Sequence, residues 1–200
     1  MSTRINFKIN LIALFVLLFW ACGESNRDDT PWVELIDGET LDGWTQKGGE
    51  AQFELREGAI VGTTAHNTPN SFLTTNKMYE DFILELEFKV HPSMNSGIQI
   101  RSNSFAYYRD GRVHGYQVEI DPSERAWSGG IYDEARRGWL YPLDGKPEAQ
   151  QAFKHNEWNH YRIEAIGDTI KTWVNDVPTA FLIDEKTARG FIGLQVHSIG

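Results

Sequence analysis

The sequence predicts an all-β domain, a sandwich of two antiparallel sheets, on three observations. Apolar and polar residues alternate with period two over short runs. Gly, Asn and Asp turn signals separate those runs. No long stretch repeats with the 3.6-residue period of a helix. Successive side chains of a strand point to opposite faces, so each such run has one buried side and one wet side. Many of them joined by short turns pack as two layers.

Taken in order, Phe53–Val61 reads as a hairpin folded across Glu57-Gly58, and Ser71–Thr75 as a short strand. Asp81–Val90 (DFILELEFKV) is the clearest case. Phe82, Leu84, Leu86, Phe88 and Val90 share one face; Ile83, Glu85, Glu87 and Lys89 share the other. Gly97–Ser102 and Gly115–Asp121 alternate in the same way. Trp158–Ala165 and Thr169–Asn175 flank Gly167-Asp168, and Asn175-Asp176 turns the chain into Val177–Ile183. Phe191–Ser198 is the last strand. Pro147–Phe153 and Asp184–Ala188 are expected as short helices. Residues 103–114 and 122–150 are long, aromatic connections of the kind that carry function. The chain stops at Gly200, just beyond a strand whose sheet edge needs covering, so one more strand is expected after it.

The N-terminus reads as an export signal. Residues 1–21 carry Arg4 and Lys8, no acid, and an apolar run from Leu11 to Ala21. That run is too short to cross a bilayer core, which takes about 20 residues. Ala21-Cys22-Gly23 looks like a bacterial lipoprotein processing site, with Cys22 lipidated as the new N-terminus. Residues 22–31 would then be a polar tether, and 32–200 the folded domain. The expected location is the periplasm or the outer-membrane surface, with membrane contact only through the lipid.

Composition narrows the function. A formal charge of −9 and a pI near 5.1 exclude nucleic acid as a partner, because phosphate contact needs a cationic surface. One Cys excludes a disulfide framework and a thiolate zinc site. There is no phosphate-binding or dinucleotide Gly motif, no nucleophile elbow and no paired-His zinc motif.

Three strands carry an unusual polar face. Gln99 and Arg101 oppose Ile98 and Ile100. Gln117, Glu119 and Asp121 oppose Tyr116, Val118 and Ile120. Gly193, Gln195 and His197 oppose Ile192, Leu194 and Val196. If these strands share a sheet, amides, an Arg, acids and a His converge on one surface. Such a surface suits a carbohydrate: amides and carboxylates bind vicinal hydroxyls, and rings such as Tyr132 and Trp139 stack on a pyranose. Glu119, at mid-strand, is a general base or an acceptor paired with Arg101. His197 is an acid, a base or a ligand. Asp121, before Pro122, either caps a turn or joins the site. Asn95 and His114 stand at strand entries from which they could reach the rim. Asp133, Glu134 and Asp144 are expected to be solvated loop acids.

Trp32–Trp44 (WVELIDGETLDGW), Asn95–Arg101 (NSGIQIR), Gly115–Asp121 (GYQVEID), Trp158-Asn159 and Gly193–His197 (GLQVH) together resemble the 3-keto-disaccharide hydrolase domain family of exported bacterial proteins. The resemblance covers residues 32–200 and implies a concanavalin A-like jelly roll. It also implies a hydrolase of 3-keto-glycosides. A ketone at C3 acidifies the C2 proton; a base removes it, the group on C1 leaves, and water adds to the enone. Glu119 would be the base, Arg101 would polarise the keto-sugar, and His197 would be the acid–base partner. Gln99, Gln117, Gln195, Asn95, His114, Tyr132 and Trp139 would bind substrate. A divalent cation on Glu119, Asp121 and His197 is an optional aid that their spacing does not demand. The competing readings are a non-catalytic lectin-like binding module and a two-carboxylate glycosidase.

Overall fold

The computed structural model describes residues 2–10 and 32–200. Its strands are β1 (Ser2–Asn10), β2 (Trp32–Glu34), β3 (Trp44–Gly48), β4 (Gln52–Arg56), β5 (Ala59–Thr63), β6 (Ser71–Thr75), β7 (Phe82–Lys89) and β8 (Ser96–Asn103). They continue with β9 (His114–Ile120), β10 (Ile131–Glu134), β11 (Gly138–Tyr141), β12 (Asn159–Ile166), β13 (Thr169–Val174), β14 (Val177–Ile183) and β15 (Phe191–Val196). A single helical turn, α1, covers Pro147–Gln150.

Two antiparallel sheets form the sandwich. One runs β14-β13-β12-β7-β1-β5-β4, with β2 added to β1; the other runs β11-β10-β9-β8-β15-β6-β3. The inner faces are the apolar faces read from the sequence. Phe82, Leu84, Leu86 and Phe88 on β7 meet Ile98, Ile100, Tyr116, Val118, Ile192 and Leu194 in one core. Each such side chain contributes roughly 1.5–3 kcal/mol when fully withdrawn from water. The hairpin turns form where the turn residues stand. Glu57-Gly58 and Asn175-Asp176 have positive φ at both central positions, the geometry that matches the strand twist.

Some elements depart from expectation. Residues 131–134 and 138–141, read as irregular, are β10 and β11; strands of four residues are too short to show a period. Pro147–Phe153 keeps only the turn α1. Asp184–Ala188 is not helical: Asp184 caps its own turn through Lys186 N and is tied by Arg137 and by the Tyr116 hydroxyl. The last strand, read as exposing an edge, lies between β8 and β6. Most of the presumed export signal, the tether and the lipidation candidate Cys22 fall outside the described residues. Ser2–Asn10 does not: as β1 it pairs with both β7 and β5, so cleavage before Cys22 would take that strand out of the sheet.

Candidate functional site

The polar strands are neighbours, in the order β9-β8-β15. Register sets Glu119 opposite Gly97 and Gly97 opposite Gln195. One step along, Gln117 stands opposite Gln99, and Gln99 opposite Gly193. Since the alternate residues fill the core, this set faces away from it. On the flanks, β10 places Tyr132 beside Gln117 and Glu134 beside Gly115, and β11 places Trp139 beside Tyr132. On the far side, β6 adds Thr74 and Phe72. The result is one polar face flanked by aromatic residues.

The glycines make room in that face. A Cβ at Gly97 would stand 2.5 Å from Cδ of Gln117, whose side chain lies across the position. Gly97→Ala is therefore expected to push Gln117 off Glu119. The Glu119 carboxylate then loses a donor to its ionised form, so its titration midpoint should move up, and the broken buried links from Gln99 and to Glu119 should lower thermal stability as well. An unmoved pH midpoint would show that the Gln117 contact does not tune the base.

A chain of hydrogen bonds runs along the face to one carboxylate. Ser102 Oγ donates to Gln99 Oε1 at 2.7 Å, and Gln99 Nε2 donates to Gln117 Oε1 at 2.5 Å. Gln117 Nε2 then donates to Glu119 Oε2 at 2.8 Å, while Asn95 Nδ2 donates to Glu119 Oε1 at 2.6 Å. From the core side, the Tyr161 hydroxyl donates to the backbone carbonyl of Glu119. Glu119 is thus held rigidly, with only 4% of its surface exposed. Burial pushes its pKa up from 4.5 to about 7, helped by the negative charge of Asp121 and opposed by Asn95, Gln117 and Arg125. A carboxylate that is half ionised near neutrality is suited to accept a proton. Gln195 adds an open acceptor: its Oε1 is buried and receives no hydrogen bond among the described residues.

Arg125 and two indoles form the wall beside Glu119. The Arg125 guanidinium stacks at 4.8 Å on Trp127 and 4.9 Å on Trp139, with Nη2 3.8 Å from Glu119 Oε1. Tyr132 meets Trp139 edge-on at 5.2 Å. His197 continues the alternation of β15 just past its end. Its Nδ1 lies 2.8 Å from the Ser198 carbonyl, which can only accept; Nδ1 therefore carries the proton, and Nε2 is free to exchange one.

Several expectations need correction. Arg101 is not on the polar face. The ladder shifts between Ile100 and Asn103, and Arg101 adopts φ 47°, so the alternation breaks and the side chain swings to the other layer. There its Nε donates to Glu80 O at 2.7 Å, Nη1 to Gly167 O at 2.6 Å and Nη2 to Asp81 Oδ1 at 2.9 Å. Asp121 is a turn cap: Oδ1 accepts from Ser123 N and Oγ, and Oδ2 accepts from Arg125 Nε. The metal set of Glu119, Asp121 and His197 therefore does not fit, since both Asp121 oxygens are committed. Among the described residues no group of three His, Cys, Asp or Glu could hold an ion. His114 sits apart from Glu119, bonded through Nδ1 to Arg112 O and packed on Phe105 and Tyr108.

Other site residues escaped the sequence reading. Glu134 is not a solvated loop acid: it is buried on β10, on the face of Tyr132 and Gln117. Burial raises its pKa, opposed by Arg112 and more weakly by His197. The alternation within Ile131-Tyr132-Asp133-Glu134 was the available signal, and it is short. Nothing local marked Arg112, whose partner Glu134 comes from β10; Arg125 follows Asp121 and Glu119 closely in sequence, and the fold of the loop after β9 decides that it pairs with them.

The profile of the 3-keto-alpha-glucoside-1,2-lyase-like domain matches residues 31–199. No curated protein sequence matches the chain. Among solved structures, a candidate glycosyl hydrolase from Parabacteroides distasonis superimposes with a TM-score of 0.59 at 16% identity, covering 84% of this chain and 88% of that one. A protein of unknown function with a galectin-like fold from Bacillus subtilis gives 0.58 at 11% identity, covering 78% and 84%. A carbohydrate-binding module from Bacillus subtilis gives 0.53 at 18% identity, covering 78% and 88%. At these identities the likeness is one of fold, a galectin-like jelly roll.

Proposed function

This chain belongs to the 3-keto-alpha-glucoside-1,2-lyase-like domain family, whose sphere is carbohydrate chemistry, and from that premise we propose that it hydrolyses 3-keto-glycosides. The observation that carries the reading is Glu119, a rigid, buried carboxylate with a pKa pushed up to about 7, held by amides on the polar face. A binding module has no use for a base tuned in this way; a proton abstraction does.

In the proposed reaction Glu119 takes the proton from C2, and the electron pair of that bond passes into the ketone as an enolate. Arg125, not Arg101, supplies the positive charge nearest this point. The enolate then expels the oxygen on C1, which takes a proton from His197 Nε2 in its charged form. Water adds to the resulting enone, hydroxyl to C1 and proton to C2, and the net change is hydrolysis. Gln117 and Asn95 hold the base; Gln195 and the aromatic wall hold the sugar. None of these steps is assigned to a metal ion, since among the described residues no three donors gather to hold one.

The test is to incubate the purified protein with 3-keto-disaccharides and ordinary disaccharides, with and without chelator. Release of monosaccharide from the keto substrate alone, in both conditions, is expected. Cleavage of unoxidised substrate would favour a two-carboxylate glycosidase, and binding without any cleavage would favour a lectin-like module. Export by lipidation of Cys22 belongs to the same proposal. Mass analysis of the membrane-bound protein should find a diacylglyceryl Cys22 at the N-terminus, and an intact residue 1–21 segment would overturn it.

A further inference from the structure

We propose that the end of the sandwich at which the chain enters docks on a bilayer surface, with loop tips of both sheets set among the lipid headgroups. Register fixes which elements meet there. Ile166 and Ile183 both pair with Thr169, and Ala165 stands opposite Phe82, the first residue of β7. Asn10 lies opposite both Ile83 and Trp32, so the domain begins at this same end. Trp44 secures the entry, its Nε1 donating to Leu35 O at 2.9 Å. Arg101 brings the other sheet here by donating to Glu80 O and Asp81 Oδ1, which places the loop after β8 at this end too.

Large apolar side chains left in water gather at this end. Tyr107 is 83% exposed and Ile183 61%; Trp32, Met78, Phe105 and Ile166 are exposed as well. At the opposite end the one such side chain among the described residues is Trp158. The tips stand on separate loops and strand ends around both sheets, an array that suits a flat, fluid surface better than a shaped partner. Their aromatic part is firmly mounted. Tyr108 donates its hydroxyl to Ala135 O at 2.7 Å and packs on His114 at 4.0 Å. It thereby fixes the loop that carries Phe105 and Tyr107, whose rings stack at 5.2 Å. Rings with a polar edge, such as Tyr107 and Trp32, favour the boundary between water and hydrocarbon. The chain itself selects a bilayer as the occupant. Residues 22–31 join Trp32 to the proposed lipid on Cys22, and ten residues reach at most about 36 Å. This end is therefore the one held toward the membrane. Glu119 and Asn95 lie at the other end, where β8 begins, so docking leaves them clear of the lipid.

The inference takes from the export proposal only where the bilayer lies, and nothing from turnover. The test uses the full chain with Cys22→Ser, which leaves no native cysteine, and a single new cysteine carrying a fluorophore. The label is placed at Asp168→Cys, in the turn between β12 and β13, or at Glu157→Cys, at the other end. Vesicles of phosphatidylethanolamine and phosphatidylglycerol should shield the label at 168 from acrylamide and leave the label at 157 quenched as in solution. The ratio of shielded to open label at 168 should fall by about tenfold in each of Tyr107→Ser and Ile183→Ser, which remove one inserted side chain apiece. Both side chains are exposed, so the variants should melt with the parent chain. Equal quenching at the two positions, or shielding at 168 that survives both changes, overturns the docking face. Shielding at 168 already present without lipid overturns it in favour of contact between copies of the chain. The acyl group is read by the mass of Cys22, so lipidation and docking stand or fail separately.

Discussion

Glu119→Gln is expected to lower turnover of a 3-keto-glycoside by about a thousandfold while leaving sugar binding measurable, the magnitude typical of a lost general base. In the wild type the rate should climb with pH through about 7, because the ionised carboxylate is the active form and burial holds its pKa there. The same residue predicts a stability signature. Its folded pKa lies above the value of 4.5 it has when free. The folded state therefore binds the proton more tightly than the unfolded one. The stabilisation is fully present below about pH 4.5 and is lost as pH rises through about 7. At about 1.4 kcal/mol per tenfold difference in proton affinity, the loss across that window is roughly 3 kcal/mol. Denaturant titrations at pH 5 and pH 8 should show a fall larger by about this amount in the wild type than in Glu119→Gln, where the raised pKa of Glu134 still contributes. A variant with full turnover would remove Glu119 from the mechanism. An unchanged pH slope would show that burial does not govern its titration.

The second large effect concerns stability alone. Arg101 joins the two layers by donating to Glu80 O, Gly167 O and Asp81 Oδ1. Arg101→Met would keep most of the packing volume but leave two carbonyls and a carboxylate without their donor. Breaking a buried ion pair costs about 3–5 kcal/mol, and the partial exposure of Asp81 puts this case near the lower end. In a chain of this length that is a fall in Tm of roughly 10 °C. Activity per folded molecule should be retained. Turnover lost without any change in melting would return Arg101 to the site. Gly190 supports the same clasp from behind, since a Cβ there would stand 2.2 Å from the Arg101 carbonyl carbon. Gly190→Ala should therefore destabilise the bulge as well.

The contrast between Glu119 and Arg101 shows what a strand pattern can convey. Both alternate cleanly with apolar neighbours, a pattern that places both on the wet face. Glu119 is there because β9 keeps its register with β8 through that position, and its backbone is bonded to Gly129 and Gly130 on the other side. Arg101 is not, because one irregular step after Ile100 reverses every later side chain. Asp121 is a milder case. Its place before Pro122 raised both a turn cap and a ligand, and the partners Ser123 and Arg125 decide for the cap.

Residue order alone determined the class of fold, most strands and their buried faces, and the row of amides around Glu119. These follow from period-two alternation and from turn residues, which act over a few positions of one chain segment. Tertiary structure alone decided which charged groups meet. Arg112 reaches Glu134 and Arg101 reaches Asp81 across strands and layers, and the loop after β9 folds Arg125 back onto Glu119, so the energy of each charge depends on neighbours that no alternation pattern encodes.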